Sequence, residues 1–254
     1  MVLIKFFMTT SAVGAGYDYS TSTFSNDGRV FQVEYAMKAT EKSGTAIGIK
    51  CVDGVVVACV NFQISPLVVP YSQSRILTAA KSIGLVSAGL LADGRHLASH
   101  CKETAADYKK NYHEDIPVRV LAERLSIYLQ QFTQFGAYRP FGVSTIIAGY
   151  DDKPQLYSTD PAATLYGYNG VAIGKEKAQA RTDIEMLPLD KLTCEQAVKE
   201  AAKILYGLRH EDEKAFELEF GWVRTTDKIF GRVPDELRDQ AIEEAKKWLE
   251  EKDE

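Results

Sequence analysis

Phe24-Ser25-Asn26-Asp27-Gly28-Arg29-Val30-Phe31-Gln32-Val33-Glu34-Tyr35-Ala36 begins as a turn and ends as a helix. Ser25 to Gly28 are turn formers, with short side-chain oxygens able to cap a helix and a glycine able to take positive φ. From Arg29 to about Lys42 the apolar residues recur at helical spacing. Val30, Val33 and Met37 form one stripe, and Phe31, Tyr35 and Ala39 form a second. Two stripes predict a helix that buries more than one face, packed between its own domain and a neighbour.

Outward from this stretch, the chain alternates in blocks. Strand-like runs come next at Thr45 to Lys50, Gly54 to Val60 and Ile83 to Ala88. Two long helices succeed them. Leu97, Cys101, Tyr108 and Tyr112 share a face on the first, read from Gly94 to Tyr112, and Leu121, Leu125, Tyr128 and Phe132 on the second. A second strand block covers Gly142 to Tyr150, Gln155 to Thr159, Thr164 to Tyr168 and Gly170 to Ile173. Two further helices come after it, the latter opening on the capping-box pattern Thr193-Cys-Glu-Gln196. Phe216 to Trp222 alternates like a half-buried strand, and Pro234 starts a last helix with acidic residues in its first turn. Strands in two blocks, each followed by paired helices, disfavour a singly alternating parallel sheet. They predict an α+β fold, with two stacked antiparallel sheets and helices outside.

Composition narrows the function classes. A net charge of −5 carries no basic footprint for nucleic acid. Met1 to Met8 is apolar but too short for a secretory signal or a membrane span, so Met8 is a second candidate initiator. Cys51, Cys59, Cys101 and Cys194 make no CxxC pair and read as reduced, buried thiols. His96 and His100 sit four apart on a helix, but no HExxH pattern or further ligand accompanies them, and they read as solvent-side residues. Gly84, Gly89 and Gly94 lack the spacing of a phosphate-cradling loop. No metal or cofactor is expected. The C-terminal stretch from Glu243 to Glu254 reads as a solvated helix end.

The stretch Phe24 to Ala36 resembles the N-terminal signature of proteasome alpha-type subunits. Gly16-Tyr17-Asp18 precedes it where that family keeps a Tyr-Asp motif. Ser87-Ala-Gly-Leu-Leu-Ala-Asp93, Arg139-Pro-Phe-Gly142, Gly167-Tyr168 and Ala172-Ile-Gly-Lys175 are also similar to family segments. Met37-Lys38-Ala39 and Lys214 to Glu219 resemble the eukaryotic alpha-7 class, also called alpha type-3. The resemblance covers about residues 14–250.

This resemblance implies a four-layer α-β-β-α sandwich of the N-terminal-nucleophile type and a non-catalytic place in a heptameric alpha ring. It divides the chain into an N-terminal gate tail (1–23), the sandwich domain (24–233) and a C-terminal acidic helix packed on it (234–254). Partners would be other alpha subunits, beta subunits and regulatory particles, with no nucleic acid or membrane, in cytoplasm and nucleus. Tyr17, Asp18 and Tyr35 would order the tails at the axial channel, and Arg29, Gln32, Val33, Glu34, Tyr35 and Ala36 would form the ring-contact helix. Gly89 and Leu90 would wall a regulator pocket, in which Asn61 stands where the family commonly has lysine. Asn26 replaces the family's proline, and Tyr19 stands where many members have arginine.

The rival reading is a catalytic beta subunit, whose threonine must be freed at the N-terminus so that its own amine serves as base. Gly44-Thr45 looks like such a junction. Counting from Thr45, the family's acid and lysine partners fall on Asn61 and Leu77. One residue earlier they fall on Val60 and Ile76. Neither register activates a nucleophile, and Thr45 reads as a strand opener. A free-standing binding domain of the same sandwich would expose one stripe of the first helix to water.

Overall fold

A computed structural model describes residues 16–63, 65–208 and 216–253. In chain order its elements begin with α1 (Phe31–Glu41), β1 (Ala46–Cys51), β2 (Gly54–Phe62), β3 (Ile76–Ala80) and β4 (Ile83–Gly89). Then come α2 (Leu91–Tyr112), α3 (Val118–Gln134), β5 (Val143–Tyr150), β6 (Pro154–Thr159), β7 (Leu165–Gly167) and β8 (Gly170–Ile173). The chain ends with α4 (Lys177–Glu185), α5 (Cys194–Gly207), β9 (Phe216–Arg224), β10 (Gly231–Arg232) and α6 (Asp235–Asp253).

The strands form two antiparallel sheets of five, in the orders β10-β9-β2-β1-β8 and β3-β4-β5-β6-β7. Three apolar layers hold the stack together. Val55, Val57 and Cys59 of β2 meet Val86, Ile146 and Ala148 between the sheets. Outside the first sheet, Ile47, Ile49 and Val56 pack on Ala197, Ala201 and Leu205 of α5. Outside the second, Leu85 and Ile147 pack on Leu97, Cys101, Leu121 and Leu125 of α2 and α3. Helix, sheet, sheet and helix therefore stack in four layers, as the block pattern and the resemblance both predict.

Burial on both faces is why central strands here do not alternate. All eight residues of β5 are buried, because helices cover one side and the facing sheet the other. The same physics corrects the half-buried reading of Phe216 to Trp222. Leu218, Phe220 and Trp222 face α5 and α6. The other face of β9 is also inside, and Glu219 on it is buried, its Oε2 accepting from Ser74 Oγ at 3.0 Å and the Arg75 N–H at 3.1 Å. Burial raises the Glu219 pKa, and those hydrogen bonds work against the rise.

Other boundaries move. β3 has no counterpart in the sequence reading, since Ile-Leu-Thr-Ala-Ala is short and flanked by no strong turn. α2 starts three residues before Gly94, and Tyr112 at its end is exposed instead of sharing the buried face. α5 opens as predicted: the Thr193 side chain accepts from the Gln196 N–H, and the Gln196 side chain accepts from the Thr193 N–H. All four cysteines are buried and free of disulfides, and burial pushes the Cys101 thiol up to about 12. Among the described residues, no helix is long and apolar enough to cross a membrane.

Candidate functional site

Ser25 to Gly28 close a tight turn, with the Gly28 N–H donating to the Ser25 carbonyl at 2.9 Å and Gly28 at φ +75°. The turn does not cap α1 by a side chain. Ser25 Oγ instead accepts from the Arg29 N–H at 3.0 Å, and Val30, the residue before the helix, is extended. The helix thus begins at Phe31, two residues later than the pattern predicts.

α1 is fastened by polar ties. The Arg29 guanidinium makes a two-pronged ion pair with Glu34, its Nε donating to Oε1 at 2.6 Å, and this bond lowers the Glu34 pKa. The Gln32 amide donates to the Asp18 carbonyl, and the Tyr17 hydroxyl donates to Asn26 Oδ1 at 3.2 Å. Thr21, itself buried, donates to the Phe135 carbonyl at 3.0 Å. Tyr17 and Asp18 are therefore half-buried against the signature stretch, whereas Tyr19 is 87% exposed. Residues 1–15 of the expected tail lie outside the described residues, as do Lys214 and Ala215 of the class-specific segment.

The two predicted stripes of α1 divide differently from the reading. Phe31, Ala36 and Thr40 are buried, and the helix packs on β4 and β5. Tyr35 is exposed, stacked on Phe31 at 6.2 Å and approached by the Lys38 ammonium at 5.9 Å. Val30, Val33 and Met37 remain only half-buried. Val30 and Val33 line a groove of about 680 Å³ with Phe24, Glu34 and the end of α3. Period alone cannot separate these fates, because the turn before α1 sets which side of the helix meets the sheets.

Asn61 and Gly89 are each tied to the 73–75 segment, in which Arg75 is a residue the sequence reading missed. The Asn61 amide donates to the Gln73 carbonyl at 3.1 Å. Two residues on, the Arg75 guanidinium donates to the carbonyls of Gly89 at 3.1 Å and Ser87 at 3.5 Å. Gly89 sits at φ +129°, and a Cβ there would meet the Gly142 carbonyl oxygen at 2.2 Å, so the position demands glycine. The Leu90 N–H donates to that same carbonyl at 2.9 Å, leaving the Leu90 side chain 48% exposed.

Asp93, also missed as a site residue, locks this corner. Its carboxylate accepts two bonds from Arg139, at 2.7 and 2.8 Å, and one from the Gly142 N–H at 2.9 Å. Burial opposes its charge, but these donors outweigh burial and hold its pKa below the usual carboxylate range. The signal was present in Asp93 and Arg139, each inside a segment quoted for its resemblance, although nothing in one sequence pairs them.

Thr45 is buried just ahead of β1. Its Oγ1 accepts from the Glu176 N–H at 3.3 Å, and its carbonyl accepts from the Val60 N–H at 2.9 Å. The cavity beside it is about 20 Å³, room for about one water molecule. Lys175 and Glu176 on its wall pair with each other at 3.8 Å. His96 and His100 are not simply solvent-side. The His100 ring stacks on Tyr128 at 3.7 Å, His96 Nε2 bonds the Tyr128 hydroxyl at 2.7 Å, and burial lowers the His100 pKa. Among the described residues no group of three or more His, Cys, Asp or Glu is placed to hold a metal ion.

Comparison with known proteins joins these features. A family model described as proteasome subunit matches residues 40–223, and one described as the N-terminal signature of A-type proteasome subunits matches residues 17–39. The chain is similar to the alpha type-3 proteasome subunit of Acanthamoeba castellanii, at 46% identity over 95% of this chain and 97% of that protein. The namesake in Arabidopsis thaliana is 45% identical over 96% of this chain and 99% of that protein. A probable alpha type-7 proteasome subunit of Saccharomyces cerevisiae is 44% identical over 94% of this chain and 85% of that protein.

Proposed function

This chain belongs to the proteasome subunit family, in its alpha class, and from that premise we propose that it is a non-catalytic scaffold of the alpha ring. In that ring it contacts neighbouring alpha subunits through α1, rests on beta subunits, orders its tail at the axial channel and receives regulatory particles, in cytoplasm and nucleus. The observation that carries this reading is α1 itself. One row of the helix is buried in its own domain, while Val30 and Val33 beside Phe24, and Met37 further along, stay half-exposed, as a helix between two subunits requires.

The surroundings of Thr45 support the non-catalytic role. Activation of a threonine needs its own free amine, yet cutting at Gly44 would sever α1, whose Phe31, Ala36 and Thr40 are buried. The aligned partner positions carry Asn61 and Leu77. Tyr17, Asp18 and Tyr35 are assigned to tail order, and Gln32 joins them, since the bonds of Tyr17 and Gln32 tie the tail to the signature stretch.

For the corner at Asn61, Gly89 and Leu90, the reading is a regulator pocket weakened by the missing cation. A neutral amide already committed to the Gln73 carbonyl offers an incoming carboxylate no charge. Asn61→Lys is expected to strengthen binding of regulator-tail peptides and their stimulation of channel opening; an unchanged response contradicts the assignment.

The test of the whole reading is the native mass and subunit composition of the particle that contains this chain, purified gently from its own cells. A particle many times 28.2 kDa with several related subunits is expected. A monomer, or a homogeneous oligomer of this chain alone, contradicts it.

A further inference from the structure

The apolar filling between the sheets stops abruptly at one end. Along β5 the inward row runs Ala148, Ile146, then Ser144, and along β6 it runs Leu156, then Ser158. These serines floor a cavity of about 180 Å³, with Lys177 and Arg181 of α4 at its mouth. Ser158 Oγ donates to the Thr145 carbonyl at 3.2 Å. Ser144 is only 7% exposed, yet its hydroxyl has no hydrogen-bond partner within the described residues. Ser144 lines the cavity and its hydroxyl is open to it.

The mouth carries one unpaired cation. Lys177 is neutralised by Glu41, at 2.8 Å across the end of α1. Arg181, one helical turn further along α4, forms no ion pair or hydrogen bond with any described residue. Lys177 opens the first turn of α4, where unpaired amides add positive potential, and Arg181 follows in the second. Asp160 is the acidic group on the wall, and its Oδ1 already accepts from the Thr164 N–H at 2.9 Å.

We propose that this cavity is an oxyanion site that takes a single phosphate or carboxylate group, hydrogen-bonded by Ser144 and paired with Arg181. A cation is disfavoured by the unpaired Arg181 and a helix start, and an apolar group by the serine floor. The site is separate from the α1 groove and from the Asn61 corner, so its failure leaves the ring reading intact.

Titration of the full-length chain with inorganic phosphate and, separately, acetate tests it, with chloride holding ionic strength constant. Saturable binding of either anion is expected, and which one binds identifies the group. Arg181→Gln, on an exposed side chain that leaves the fold alone, should weaken binding about tenfold, and Ser144→Ala by less. Equal binding by wild type and Arg181→Gln, or no saturable binding of either anion, overturns the proposal. Maps of the assembled particle in phosphate, in acetate and in chloride give an independent readout. Density bridging Ser144 Oγ and Arg181 in phosphate or acetate but not in chloride supports the site, and its absence from all three overturns it.

Discussion

α5 and α1 both lie against the sheets, yet they are held by different physics. α5 buries eight of its fourteen residues and is started by a reciprocal cap. α1 buries three of eleven, has no side-chain cap, and is fixed by Arg29–Glu34 and by Gln32 reaching back to Asp18. Packing stabilises the first, whereas directional polar bonds position the second and leave most of its residues only partly covered. On the proposed reading, a core helix and a contact helix differ in what holds them.

The largest expected effect is on the core side. Leu205→Ala, at a side chain 1% exposed, should cost about 3 kcal/mol in urea unfolding. Val33→Ala on α1 should cost about 1 kcal/mol in the isolated chain, since the side chain is only half-buried there. The same change should lower incorporation into the particle. Equal losses of stability at the two sites would erase the distinction.

Next comes pH. Asp93 has its pKa lowered in the folded chain, so its stabilisation is complete above the unfolded value of about 3.8 and fades as pH falls through the lower folded one. Arg139→Gln removes the chief donor, so acid unfolding should begin at higher pH than in the wild type. An unshifted acid transition would mean that the pair contributes nothing to this corner.

Smaller still is the cap. Thr193→Ala should destabilise by about 1 kcal/mol, read in the same urea titration. The smallest stability change is expected for Gln32→Ala, about 0.5–1 kcal/mol, because one exchangeable hydrogen bond is lost. Its effect should appear instead as raised basal peptide hydrolysis by the particle, from a tail no longer tied to α1.

Legibility followed the same divide. Elements with strong local signals, such as α5 with its Thr193–Gln196 box and α6 behind Pro234, were readable from spacing alone. β3 was not, because five residues with mixed burial carry no period. The inner face of β9 was misread as solvent-facing, since Glu219 looks polar in sequence and is buried only by tertiary contacts. The site was legible as a string, Phe24 to Ala36, but the string does not say which side of α1 faces inward. Arg75 and the Asp93–Arg139 pair escaped because their partners lie far along the chain or on backbone carbonyls.

The central claim is that this chain builds the particle without cutting peptides, and Thr45→Ala tests it most directly. The substitution removes the one hydroxyl that stands at a processing-like junction. Particles carrying it should assemble with the wild-type subunit composition and retain every peptidase activity at wild-type rates. Loss of one activity in normally assembled particles would contradict the account and make Thr45 a nucleophile.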